Sequence, residues 1–161
     1  MWPESDMKHL HRAVELAEEA LNAGDAPFGS VLVDAAGQVL AEDRNRIVSS
    51  GDNTRHPEFE LARWAAEHLT PEQRAVSTLY TSGEHCPMCA AAHGWVGLGR
   101  IVFVSSSRQL GRWLSEMNVA PPPINTLSIR EIVPHIAVEG PVPELVDQVR
   151  ALHRRHHAPT A

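Results

Sequence analysis

The only two cysteines of this 161-residue chain stand three positions apart, in Cys86-Pro87-Met88-Cys89. A disulfide scaffold needs several half-cystines spread along a short secreted chain, so that architecture is excluded. An apolar core has to hold the fold instead, and 161 residues, 43% of them apolar, suffice to bury one in an ordinary domain. The chain is read as one domain over residues 1–161. The cysteine pair then stands for metal binding or thiol redox chemistry. The redox reading needs a thioredoxin-like setting that the flanking elements do not supply, which leaves metal.

Hydrophobic periodicity sets those elements. Leu10, Ala13, Val14, Ala17, Ala20 and Leu21 recur at helical spacing from Met7 to Ala23, with Gly24 as a stop. Pro27 to Asp34 carries the β-rich run Val31-Leu32-Val33, Ala35-Ala36-Gly37 turns, and Gln38 to Ala41 returns as a hairpin. A helix is expected from His56 to Leu69, ended by Thr70-Pro71, then a strand over Val76–Ser82. An Ala-rich helix follows from Cys86 to Val96, then a strand over Ile101–Val104 and a helical piece from Arg108 to Met117. After Pro121-Pro122-Pro123 come a last strand over Ile136–Val138 and a last helix from Pro143 to His156. A hairpin followed by alternating helices and strands gives an α/β fold, its largely parallel sheet covered on both faces. Sites in such sheets gather at strand carboxyl ends, where the third strand runs into Cys86.

A catalytic zinc ion takes three protein ligands and keeps a fourth position for water or hydroxide. Cys86 and Cys89 at a helix start supply two thiolates, and the helix N-terminus favours their charge. The third ligand is a histidine: His56, at another helix start, or His93, four residues after Cys89 on the cysteine helix. Hydrolysis at such an ion also needs a carboxylate that takes a proton from the attacking water and returns it to the leaving group. Glu58, two residues after His56, is the candidate.

His56-Pro57-Glu58 followed by Cys86-Pro87-Met88-Cys89 resembles the H-x-E and C-x-x-C signature of the cytidine deaminase superfamily. The similarity extends through Pro27-Phe28-Gly29, Asn45, Leu79-Tyr80-Thr81-Ser82 and Arg100-Ile101-Val102, covering most of the chain up to about Val104. Val138-Glu139-Gly140 before the last helix resembles the superfamily's bacterial guanine, nucleoside and tRNA adenosine deaminases. The resemblance implies a three-layer α/β/α sandwich with a five-stranded mixed sheet, dimeric, and one Zn²⁺ per chain on His56, Cys86 and Cys89. It makes Glu58 the catalytic proton shuttle and Asn45 and Glu84 substrate-binding residues, with Phe28 and Trp95 flanking the ring. His85 departs from it, because proline is common before the first cysteine, and Leu110–Pro134 matches only loosely.

Fourteen Lys and Arg against 20 Asp and Glu give a net charge of −6, which argues against broad attraction to nucleic acid or anionic membranes. The N-terminal MWPESDMKHL lacks a secretory pattern and no apolar run reaches membrane-spanning length, so a cytoplasmic location is expected. The basic tail Leu152–His157 is read as complementing a helix dipole. The expected activity is hydrolytic release of ammonia from a free nucleobase or analogue. The alternatives are tRNA adenosine deamination and a non-catalytic zinc-stabilised module.

Overall fold

The computed structural model describes residues 1–159; Thr160 and Ala161, the end of the expected 1–161 domain, lie outside the described residues. In chain order the elements are α1 (Glu4–Asn22), β1 (Gly29–Val33), β2 (Val39–Arg44), α2 (Ile47–Ser50), α3 (Pro57–His68), α4 (Pro71–Ala75) and β3 (Thr78–Gly83). They continue as α5 (Pro87–Val96), β4 (Arg100–Ser105), α6 (Ser107–Glu116), α7 (Ile129–Ile132), β5 (Val138–Glu139) and α8 (Pro143–His157). The five strands form one mixed sheet in the order β2-β1-β3-β4-β5, with β1 antiparallel to both neighbours and β3, β4 and β5 parallel.

Alternation along the buried strands divides the core in two. Val31, Val33, Tyr80, Val102 and Val104 face α1, α6 and α8. Leu32, Leu79, Ile101 and Phe103 face α3, α5 and α7 on the other side. This is the expected three-layer sandwich. Gly29 explains part of its closeness: a Cβ there would lie 2.4 Å from the Ala13 carbonyl oxygen and 2.5 Å from Leu16 Cβ, so α1 seats on β1 only over a glycine.

Differences from the expected elements have local causes. β2 extends to Arg44, past Ala41, because an edge strand pairs through its backbone and leaves its polar side chains in water. Thr70-Pro71 ends α3 and also starts α4 through a capping box with Gln73. α2 and α7 are too short to show a period. No helix among the described residues is long and apolar enough to cross a membrane.

Away from the cysteines, Asp6 ties α1 to the sheet. Its carboxylate accepts from both Arg100 terminal nitrogens at 2.9 Å and from the Tyr80 hydroxyl at 2.6 Å, while Arg100 also reaches Glu139 at 2.8 Å. Arg100 holds the Asp6 carboxyl below its ordinary value, against the opposing effect of burial. Removing the carboxylate takes the shared acceptor from the buried Tyr80 hydroxyl and from Arg100, which keeps Glu139, so Asp6→Ala should cost about 1–3 kcal/mol in urea denaturation. A depressed folded value gives stability that is present above the unfolded value near pH ~4 and lost as pH falls through the folded one. Asp6→Asn should therefore lose less stability than the parent between about pH 4 and pH 2.

Candidate metal centre

Two helix starts meet at one place. His56 is the N-cap of α3 and Cys86 the N-cap of α5, each followed by a proline whose fixed φ suits the first helical position. α3 and α5 pack side by side on one face of the sheet, which brings together residues 30 positions apart in the chain. Cys86 Sγ lies 3.5 Å from His56 Nδ1 and 3.5 Å from Cys89 Sγ, and Cys89 Sγ lies 3.4 Å from His56 Nδ1. A tetrahedral ion about 2.3 Å from sulfur and about 2.0–2.1 Å from nitrogen sets its ligands roughly 3.5–3.8 Å apart. The three atoms fit zinc, and they are the one such group of three among the described residues.

The two thiols differ in protonation, and zinc would have to displace the proton that Cys89 keeps. Hydrogen bonding with Cys89, opposed by burial and aided by the neighbouring His56, lowers the Cys86 thiol to about 4, while Cys89 keeps its proton. The His56 imidazole is raised, chiefly by its hydrogen bond with Cys86, and it also bonds to the Asn53 backbone. A second hydrogen bond of that kind fixes the tautomer and orientation of a ligating histidine.

Glu58 lies in the first turn of α3 and is 5% exposed. Its Oε1 accepts from the Thr81 hydroxyl at 2.8 Å, and the Ser30 hydroxyl lies 2.9 Å from Thr81 Oγ1 and 3.2 Å from the carboxylate. One proton per hydroxyl orders these contacts as Ser30 to Thr81 to Glu58. Burial raises the Glu58 carboxyl above its ordinary value, with the Thr81 bond and the His56 charge opposing it.

His56, Glu58 and Cys86 open into a cavity of about 690 Å³. Asn45 lines it too, 1% exposed, with its carbonyl oxygen accepting from the Ile47 N–H at 2.9 Å. That leaves the amide NH₂ free to donate into the cavity. The loop is held from below by the fully buried Asp25, whose carboxylate accepts from Ser49 and Arg44. Phe28 lines the cavity as well, its back edge-on to His153 of α8 at 5.0 Å.

One expectation is corrected, and Glu84 has a further role. Trp95 does not flank the cavity: it is 91% exposed. Met88, in the first turn of α5, lines the cavity, whereas Trp95 lies seven residues, or about 10.5 Å, farther along the helix. Glu84 lines the cavity, but its two oxygens are engaged, accepting the Ser107 N–H and the Ile129 N–H at 2.9 Å each. It therefore ties the first residues of α6 and α7 together, where helix dipoles favour a negative charge.

His93 is not a third ligand: it is buried, and its Nε2 bonds the Gly99 carbonyl at 2.7 Å. His85 lies in the layer beneath, edge-on to His93 at 5.4 Å, not in the cavity wall, and burial keeps it neutral. The tail is structural where it packs, with Leu152 and His153 buried and Arg155 bonded to Glu18 and Asn22 of α1. Ser30 and Thr81 were not singled out as site residues. Ser30 is the one hydroxyl residue of β1, Thr81 is one of several in β3, and the register Ser30↔Thr81 makes them cross-strand neighbours.

Residues 3–105 match the family described as "Cytidine and deoxycytidylate deaminase zinc-binding region". A probable cytosine deaminase of Schizosaccharomyces pombe is 34% identical over 142 residues, covering 86% of this chain and 85% of that protein. A tRNA-specific adenosine deaminase of Haemophilus influenzae is 36% identical over 108 residues, covering 67% and 62% respectively. A guanine deaminase of Bacillus subtilis is 45% identical over 87 residues, covering 53% and 55%. A solved structure of guanine deaminase from Bacillus subtilis has a TM-score of 0.59 at 28% identity, covering 90% of this chain and 91% of that one. With the zinc triad, the carboxylate and the fold in agreement, the chain belongs to the cytidine and deoxycytidylate deaminase zinc-binding family.

Proposed function

We propose that the chain releases ammonia hydrolytically from a free nucleobase or close analogue, namely a guanine-like purine, cytosine or an amino-triazine. One observation carries this reading: His56, Cys86, Glu58 and Asn45 share a cavity that no lysine or arginine lines. A neutral ring needs no counter-charge, whereas the phosphates of a nucleotide or RNA substrate call for cations beside the pocket. Similarity to a cytosine deaminase and a guanine deaminase supports the same reading. The tRNA adenosine reading draws on relatives of similar closeness. It lacks a basic surface at the cavity, and part of its candidate tail, His153 and Arg155, is packed or paired.

Zinc held by His56, Cys86 and Cys89 would supply a water acidic enough to lose its proton near neutral pH. Glu58 takes that proton on the oxygen that Thr81 leaves free and passes it to the ring nitrogen, then takes the second proton from the hydroxyl added at the ring carbon and hands it to the amine, so that C=O forms as the C–N bond breaks and ammonia leaves. Its raised affinity for protons, from burial, keeps it close to the balance point a shuttle needs. Asn45 donates its amide to a ring acceptor and sets which edge of the ring faces the attacking water.

Zinc-loaded protein is expected to release ammonia from one or a few bases in a panel of guanine, cytosine, isoguanine and amino-triazines. Glu58→Gln should lower that rate by roughly 10²–10⁴-fold while metal analysis still finds zinc bound; an unchanged rate sinks the assignment. Cys89→Ser is expected to lose zinc and thermal stability together, because metal binding here is coupled to the packing of α3 on α5. Thr81→Val should lower kcat by about tenfold with little change in KM, since its hydroxyl touches Glu58 and not the ring. Thr81→Ser should restore most of the loss, which a purely packing role would not allow.

A further inference from the structure

The cavity has two ends of different chemistry. The inner end carries His56, Glu58, Cys86 and Asn45. The outer wall is built from Leu110 and Leu114 on α6, then Val119, Pro121-Pro122-Pro123 and Ile124, and it offers no charge. A volume of about 690 Å³ falls within the roughly 300–1,000 Å³ of pockets that enclose drug-sized ligands. A bare base seated against the metal ligands leaves the outer compartment to water.

That compartment is a formed wall. Three consecutive prolines fix their own φ, so the strap they make loses little freedom when something docks on it. A capping box of Ser106 and Gln109 fixes the start of α6, and Glu84 ties that start to α7. Ile124 on the rim is nevertheless 49% exposed. Apolar side chains held around water are complementary to an apolar group, which gains by displacing that water. Along that wall the side chains able to hydrogen-bond are the Ser115 and Thr126 hydroxyls and no cation lines it, so its bulk is apolar.

We infer that the substrate is an amino-substituted heteroaromatic ring bearing an apolar alkyl or aryl substituent, which Leu110, Leu114, Val119 and Ile124 select. This rests on the deaminase reading above. The ring sits at the metal end with its amine toward Glu58, and the substituent leaves the opposite ring edge toward α6.

The test uses zinc-loaded protein with guanine, cytosine and diaminotriazine series carrying hydrogen, methyl, butyl or benzyl as the ring substituent, alongside the nucleosides. kcat/KM is expected to rise by about threefold per added methylene up to butyl, with the nucleosides below the methyl compounds. Leu114→Asn should bring the butyl-to-hydrogen ratio of kcat/KM close to one. In parallel, calorimetry on zinc-loaded Glu58→Gln reads dissociation constants for the same compounds without turnover. Turnover of the parent rings with a flat ratio overturns the inference, leaves the deaminase reading standing, and assigns the wall to protein such as a second copy of this chain. No turnover with affinity that still tightens along the series overturns the deaminase reading and keeps the apolar pocket. No turnover and no tightening overturns both.

Discussion

Helices α3 and α5 lie side by side on one face of the sheet with their starts together, and this contact sets Nδ1 of His56 within 3.5 Å of two sulfurs. The sheet imposes the arrangement. β3 hands the chain to Cys86 at its carboxyl end, and the β3–β4 crossover places α5 beneath it. Two helix N-termini pointing at one spot form a region of positive potential. Negative charge on sulfur is favoured there, so the backbone assists an ionisation that zinc binding would complete at Cys89.

The same packing determines the carboxylate. One turn into α3, Glu58 is driven under the sheet edge, where an uncompensated charge is costly. Two hydroxyls reach it from β1 and β3. They offset the cost in part and fix one oxygen, which orients the other. A fully satisfied carboxylate would give up its proton too readily, and one with no partner would remain protonated. The Ser30–Thr81 relay holds Glu58 between those limits, and it exists because the two strands pair in that register.

How far the sequence foretold this follows the kind of signal each residue leaves. His56, Glu58, Cys86 and Cys89 were legible because metal and proton chemistry restrict residue type and spacing together. The strand and helix order was legible because burial imposes a period of two or about 3.6. Ser30 and Thr81 leave a weak signal, since a buried hydroxyl in a strand is ordinarily satisfied by backbone. α2, α4 and α7 are shorter than the period that would announce them, although Thr70 and Ser128 carry cap chemistry. Trp95 was misplaced, and the backbone contacts of Glu84 were not foreseen, for a common reason. Similarity fixes position along the chain, but not how far along α5 the cavity reaches, nor that α6 and α7 would each take an oxygen of Glu84.

Substrate choice lies in the segment where sequence similarity is weakest. The inner end of the cavity is built by residues on the sheet and on α3 and α5, which the metal chemistry constrains. Its outer wall comes from α6 and from the stretch 119–126, which no metal or proton step constrains. A family that keeps the first and varies the second retains one reaction while altering what the ring may carry. Here the variable part is apolar, stiffened by proline and without cations, and the ring edge facing away from Glu58 has to match it. For the substituted ring proposed above, selectivity resides in the free energy of burying the substituent, separate from the residues that hold the metal and move the proton.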